Sequence, residues 1–122
     1  MTQDQKIDIL FYLVSTGSIL FIALFAKRLN SDLSLFAAQN KIKKINKLET
    51  LGKHQKIIDI IDEYINRFPG ETTFKWYKGR ALFKLKRYEA SKSVFSGIVS
   101  DEPLWKEDAQ KYLESINDIQ NT

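Results

Sequence analysis

The sequence predicts an all-α protein, with an N-terminal transmembrane helix followed by two helix hairpins and a closing helix. Three observations predict it. Ile7 to Ala26, IDILFYLVSTGSILFIALFA, is an apolar run whose one charge, Asp8, lies near its start. The segment 51–69, LGKHQKIIDIIDEYINRFP, is answered by LKRYEASKSVFSGIVSDEP at 85–103. The segments between and after carry apolar residues at helical spacing. Only two Pro and five Gly stand among the 122 residues, so the chain has few helix breakers.

At about 1.5 Å per residue the apolar run spans the ~30 Å hydrocarbon core of a bilayer. A cleaved signal peptide is the rival reading, but the residues before the run include Asp4, Lys6 and Asp8 rather than a positive cluster. The LFA before Lys27 also lacks a small residue at its first position. An uncleaved anchor over 1–28 is therefore expected. Lys27, Arg28, Lys41, Lys43 and Lys44 follow the run, and basic flanks stay on the cytoplasmic side. The expected topology has the N-terminus outside and the following domain cytoplasmic, with a periplasmic domain as the alternative.

Residues 29–37 form a juxtamembrane connector, in which Asn30-Ser31-Asp32 offers N-cap candidates for a new helix. Ile42, Ile45, Leu48 and Leu51 then recur at intervals of three, and Gly52 is placed to end that helix. The next helix carries Ile57, Ile60, Ile61, Tyr64, Ile65 and Phe68 as one apolar stripe, closed by Pro69-Gly70. A second pair is expected from about Thr72 to Leu85 and from about Tyr88 to Ser100, ending at Pro103. Beyond it, Ala109, Tyr112, Leu113, Ile116 and Ile119 share one face, with Glu107, Asp108, Glu114 and Asp118 on the polar side.

Leu85 and Pro103 stand for Leu51 and Pro69, a spacing of about 34 residues, which is the period of a helix–turn–helix solenoid unit. The segment TTFKWYKGRALFKLKRYEASKSVFSGIVSDEP resembles the tetratricopeptide repeat (TPR) family, with Gly79, Tyr88, Phe95 and Pro103 at that family's characteristic positions. The resemblance implies repeats at about 38–71 and 72–105 and a capping helix at about 106–119, in a domain of residues 38–122. The chain departs from the pattern at Lys78, at Trp76 (one residue late) and at Ser91. Its first copy is degenerate, with Lys41 and Lys44 at positions that are apolar in the family.

The resemblance further implies a partner-binding groove on the first helix of each repeat. In the second copy those positions are Thr73, Trp76, Arg80, Phe83 and Lys84, a mixture of aromatic and cationic groups suited to an acidic segment. In the first they are Gln39, Ile42, Asn46, Glu49 and Thr50. Membrane-anchored proteins of this kind recruit or stabilise partners in bacterial envelope and membrane-complex assembly. The expected function is such an interaction module, a scaffold or assembly factor in the inner membrane. The alternative is a permanent accessory subunit packed through its membrane helix, where Ser15, Gly17 and Ser18 permit close approach.

Charge and motif content bound the rest. Lys41 to Lys92 holds 14 Lys/Arg against 6 Asp/Glu, while Ser93 onward holds 2 against 6. Anionic lipid headgroups suit Lys27, Arg28 and Lys41 to Lys47. The cluster of Lys75, Lys78, Arg80, Lys84, Lys86 and Arg87 nominally meets a nucleic-acid pattern, but the repeat period already accounts for its aromatics, so no nucleic acid is expected. There is no cysteine, and no hydrolase triad, zinc-protease motif or phosphate loop is present. No enzyme activity, cofactor or metal is expected. His54, the one histidine, is read as a half-buried turn residue, Asp8 as an interfacial charge, and Asp59, Asp62 and Glu63 as solvated.

Overall fold

The computed structural model describes the backbone of residues 3–122 and the side chains from residue 8, so the side chains of Lys6 and Ile7 lie outside the described residues. Five α-helices follow in order: α1 (Gln3–Thr50), α2 (His54–Arg67), α3 (Thr72–Lys84), α4 (Tyr88–Asp101) and α5 (Lys106–Gln120). A 3₁₀ turn, Pro103–Trp105, joins α4 to α5. The described residues contain no strand.

The expected helix start at Asn30-Ser31-Asp32 falls inside α1 instead. Capping side chains begin a helix only where the preceding backbone has left it. No proline lies between Gln3 and Thr50, and Lys27–Leu29 and Leu33–Ala38 are mostly good helix formers, so nothing interrupts the ladder.

The chain divides into two units, Met1–Ala37 and Ala38–Thr122. In the first, apolar side chains face outward on every side of α1, with Phe11 76% exposed and Leu10, Leu13, Phe21 and Leu24 similarly bare. The Thr16 hydroxyl donates to the Tyr12 carbonyl at 2.8 Å, which removes its need for water. This helix is long and apolar enough to cross a membrane.

In the second unit α2 packs on α3, α3 on α4, and α4 on α5. The last turns of α1 join it through Ile45, which is fully buried, and through polar contacts to α3. The stripe expected on α2 is largely inside, with Ile57, Ile61, Tyr64 and Phe68 buried. On α5, Ala109 and Ile116 are buried and Tyr112 and Leu113 are half-buried, while Ile119, expected on the same face, is exposed.

Two helices and two helix ends are alike in the backbone. α2 and α4 both have 14 residues, and they begin at the equivalent positions His54 and Tyr88. At the end of α1, the Gly52 N–H donates to the Glu49 carbonyl and the Lys53 N–H to the Leu48 carbonyl, both at 2.9 Å. At the end of α3, Lys86 donates to Phe83 at 3.0 Å and Arg87 to Leu82 at 2.9 Å. Both are Schellman closures, which need a left-handed residue. Gly52 takes φ +72° and Lys86 takes φ +60°. The side chain at 86 makes its left-handed conformation strained by about 1 kcal/mol, whereas glycine adopts it freely.

Two substitutions therefore act in opposite directions at equivalent positions. Lys86→Gly is expected to stabilise the unit by up to about 1 kcal/mol, and Gly52→Ala to destabilise it by about 1 kcal/mol. Thermal melts followed by circular dichroism check both signs.

Candidate interaction surface

α3 carries the residues expected to face a partner, and its own packing divides them. A helix with glycine at its centre lets another helix come close, and Gly79 does so here. A Cβ on Gly79 would lie 2.7 Å from the ring of Phe95, which is fully buried in α4. Ser91 of α4, also fully buried, donates its hydroxyl to the Gly79 carbonyl at 2.8 Å. The buried Ser91 hydroxyl is thus satisfied rather than orphaned.

Trp76 and Phe83 flank this contact, and their rings are engaged within the chain. Trp76 lies 5.2 Å from Phe95, 5.2 Å from Trp105 and 5.4 Å from Tyr112 between ring centroids. Phe83 lies 5.6 Å from Tyr88 and 5.3 Å from Tyr112. Tyr112 of α5 stacks on Phe95 at 4.5 Å with planes 8° apart. Edge and stacked pairs of this kind add about 0.5–1.5 kcal/mol each beyond area burial. Trp76 and Phe83 remain half-buried.

The polar members join two helices. Arg80 pairs with Glu49 of α1 at 2.9 Å, and the Tyr77 hydroxyl donates to Asn46 Oδ1 at 3.3 Å. Asn46 and Glu49 belong to the row expected from the first copy, so the two rows meet. Burial raises the Tyr77 pKa, the Glu49 carboxylate raises it further, and Arg80 opposes them. The Arg80 Nε is buried without a hydrogen-bond partner. Thr73 donates to Glu71 Oε1 at 2.8 Å, which places it at the start of the face rather than in the network. Lys84 stands exposed in the last turn of α3 and makes no ion pair among the described residues.

In the first copy's row, Gln39 is exposed, Ile42 is half-buried and the Thr50 hydroxyl returns to the Asn46 carbonyl at 2.9 Å. Of the basic residues after the apolar run, Lys27 and Arg28 lie exposed in the first unit and Lys43 and Lys44 exposed in the second. Lys41 instead lies 5.4 Å over the Tyr64 ring. Among the described residues no α5 carboxylate pairs with an α3 cation, and none of the described His, Asp and Glu side chains form a group able to hold a metal ion. His54 opens α2, half-buried, with Nδ1 buried and unpartnered.

Sequence reasoning missed Tyr112 and Trp105 as ring partners of Trp76, and Tyr77 and Glu49 as parts of the polar network. Tyr112 was visible as a member of the α5 stripe. The pairing of Arg80 with Glu49, on a different helix, carries no periodic signal. No family model, curated protein or solved structure matches the chain.

Gly79→Ala is expected to destabilise the unit by about 1–3 kcal/mol, because the Phe95 ring is held by Trp76 and Tyr112 and cannot move aside. Combining it with Phe95→Leu should cost less than the sum of the single changes. A double-mutant cycle in urea measures that coupling.

Proposed function

We propose that this chain is a membrane-anchored interaction module, in which α1 holds a small tetratricopeptide-like unit at a bilayer and that unit recruits or stabilises a protein partner. The observation that carries the reading is the recurrence of paired helix closures and equal helices at the repeat spacing, in a chain whose first unit is a long, exposed, apolar helix. Stacked units of this period present one face of their first helices as a continuous surface. Here that face runs from Asn46 and Glu49 through Tyr77 and Arg80 to Lys84.

The partner segment is acidic with an apolar anchor. Lys84 supplies an unneutralised charge, and Arg80, already neutralised by Glu49, orients the surface. Charge at such a rim governs on-rate and selectivity more than affinity. Trp76 and Phe83 offer their remaining exposed edges, while their buried faces hold α5. Assembly of a membrane or envelope complex at the cytoplasmic face of a bacterial inner membrane fits this arrangement, with the periplasmic face as the alternative.

A second reading, a permanent accessory subunit, is favoured by one feature. Leu29, Leu33 and Phe36, at i, i+4 and i+7, continue an exposed apolar stripe past Lys27 and Arg28. Such a stripe suits a helix packed against other helices beyond the hydrocarbon.

Affinity capture of the full chain from detergent-solubilised membranes tests the proposal. Lys84→Glu breaks no ion pair, and together with Arg80→Gln it is expected to lower partner recovery by about two- to fivefold, as loss of rim charge would. Undiminished recovery of every partner would reject the face. A companion held at fixed stoichiometry in native mass measurement, whatever the variant, would establish the accessory-subunit reading instead.

A further inference from the structure

The chain contains, between its own helices, a worked example of how its open edge is completed. Between α3 and α4 lies a cleft of about 250 Å³ whose walls include Lys78, Ser93 and Val94, and α2 contributes Ile65 to it. Asp62 of α2 pairs with Lys78 at 2.7 Å, and Arg87 donates to Gln55 of α2 at 2.8 Å. α2 is thus seated by a polar group at 55, a carboxylate at 62 and an apolar side chain at 65, spaced to lie along one helix face.

In the first copy a cleft recurs that shares three of these positions. Lys44, Asp59 and Ile60 take the places of Lys78, Ser93 and Val94, and with Leu48 and Lys56 they line a cleft of about 290 Å³. Lys53 takes the place of Arg87. The unit begins at Ala38, within α1, so it contains no earlier helix to stand where α2 stands for the later cleft. The burial reflects this: Leu82 is 5% exposed, while its counterpart Leu48 is only half-buried. Lys44, Lys53 and Lys56 are exposed and make no ion pair among the described residues.

We propose that the edge formed by Lys44, Leu48, Lys56 and Ile60 docks an amphipathic helix of a partner protein, with a carboxylate three residues before an apolar side chain, as α2 docks on α3 and α4. The carboxylate meets Lys44 as Asp62 meets Lys78. The apolar group walls the cleft as Ile65 walls its counterpart. In a second copy α5 does not offer the pattern, since Gln110, Lys111, Asn117 and Asn121 stand three residues after its carboxylates, whereas the exposed Asp32 and Leu35 of α1 do, so self-association is one outcome of the test. This surface is separate from the face holding Arg80 and Lys84, and its test is independent of theirs.

The probe is a fluorescent peptide with the α2 sequence, residues 53–69, stapled on its solvent face to hold it helical. Its binding to the full chain in micelles is read by anisotropy. Lys44→Glu is expected to weaken binding by about five- to tenfold, the size of one partly exposed ion pair turned repulsive. A peptide with lysine in place of Asp62 should recover most of that loss on the Lys44→Glu chain and bind the native chain poorly. Lys84→Glu should leave binding unchanged, which separates this edge from the other face. Circular dichroism shows whether each variant is folded, and Lys56→Glu, at an exposed position, repeats the test without touching α1. Three results would overturn the proposal: no binding at millimolar peptide, binding indifferent to both lysine substitutions, or binding altered by Lys78→Glu, which would mean that the peptide displaces α2. Self-association of the full chain that Lys44→Glu abolishes would overturn it in favour of a second copy.

Discussion

The approach of the Phe95 ring to the backbone at Gly79 is the contact on which the folded unit depends. It is possible only because residue 79 has no side chain, and glycine inside a helix costs about 1 kcal/mol relative to alanine. Burial of a whole phenylalanine, worth about 3–5 kcal/mol on truncation, offsets that cost. The ring then does more than fill space. One of its faces receives Tyr112 from α5, Trp76 from α3 meets it at a steep angle, and Ser91 one turn before it fastens α4 to the Gly79 carbonyl. Three helices are tied through one side chain. At the equivalent positions of the first copy the solution differs: Ile45, Ile57 and Ile61, all fully buried, stand for Gly79, Ser91 and Phe95. The bulk that one ring supplies in the second copy is spread over three branched side chains in the first, and no close backbone approach is needed there.

Much of this was legible because it is local or periodic. Gly52 and Pro69-Gly70 announce helix ends through backbone conformations that few residues adopt or continue, and the stripes on α2 and α5 announce their buried faces. Lys86 was not legible alone. A lysine gives no hint of a left-handed backbone, and only its alignment with Gly52 marks the place. The unbroken course of α1 was misjudged because Asn30, Ser31 and Asp32 favour a cap, yet no neighbouring residue makes the chain leave the helix there. The division of the α3 face was out of reach for another reason. Whether Trp76 meets a partner or Tyr112, and whether Arg80 meets solvent or Glu49, is decided by groups on other helices whose positions follow from tertiary packing.

The two units differ in the surface they present. α1 up to Ala37 carries apolar side chains on all sides and finds no cover within its own unit. The second unit is a set of packed helices whose interior is filled by rings and branched aliphatic side chains. α5 ends it, with Glu107, Asp108, Glu114 and Asp118 exposed. The unit's other end has lysines around an apolar cleft.

Through the Phe95 contact α3, α4 and α5 form one cooperative body. Native-state hydrogen exchange of the full chain in micelles, resolved by residue, tests it most directly. The account predicts that the slowest amides of α3, α4 and α5 open with a common free energy, and that Gly79→Ala lowers all three together. If the amides of α5 open far more readily and remain indifferent to Gly79→Ala, α5 is only an appended helix and the account is contradicted.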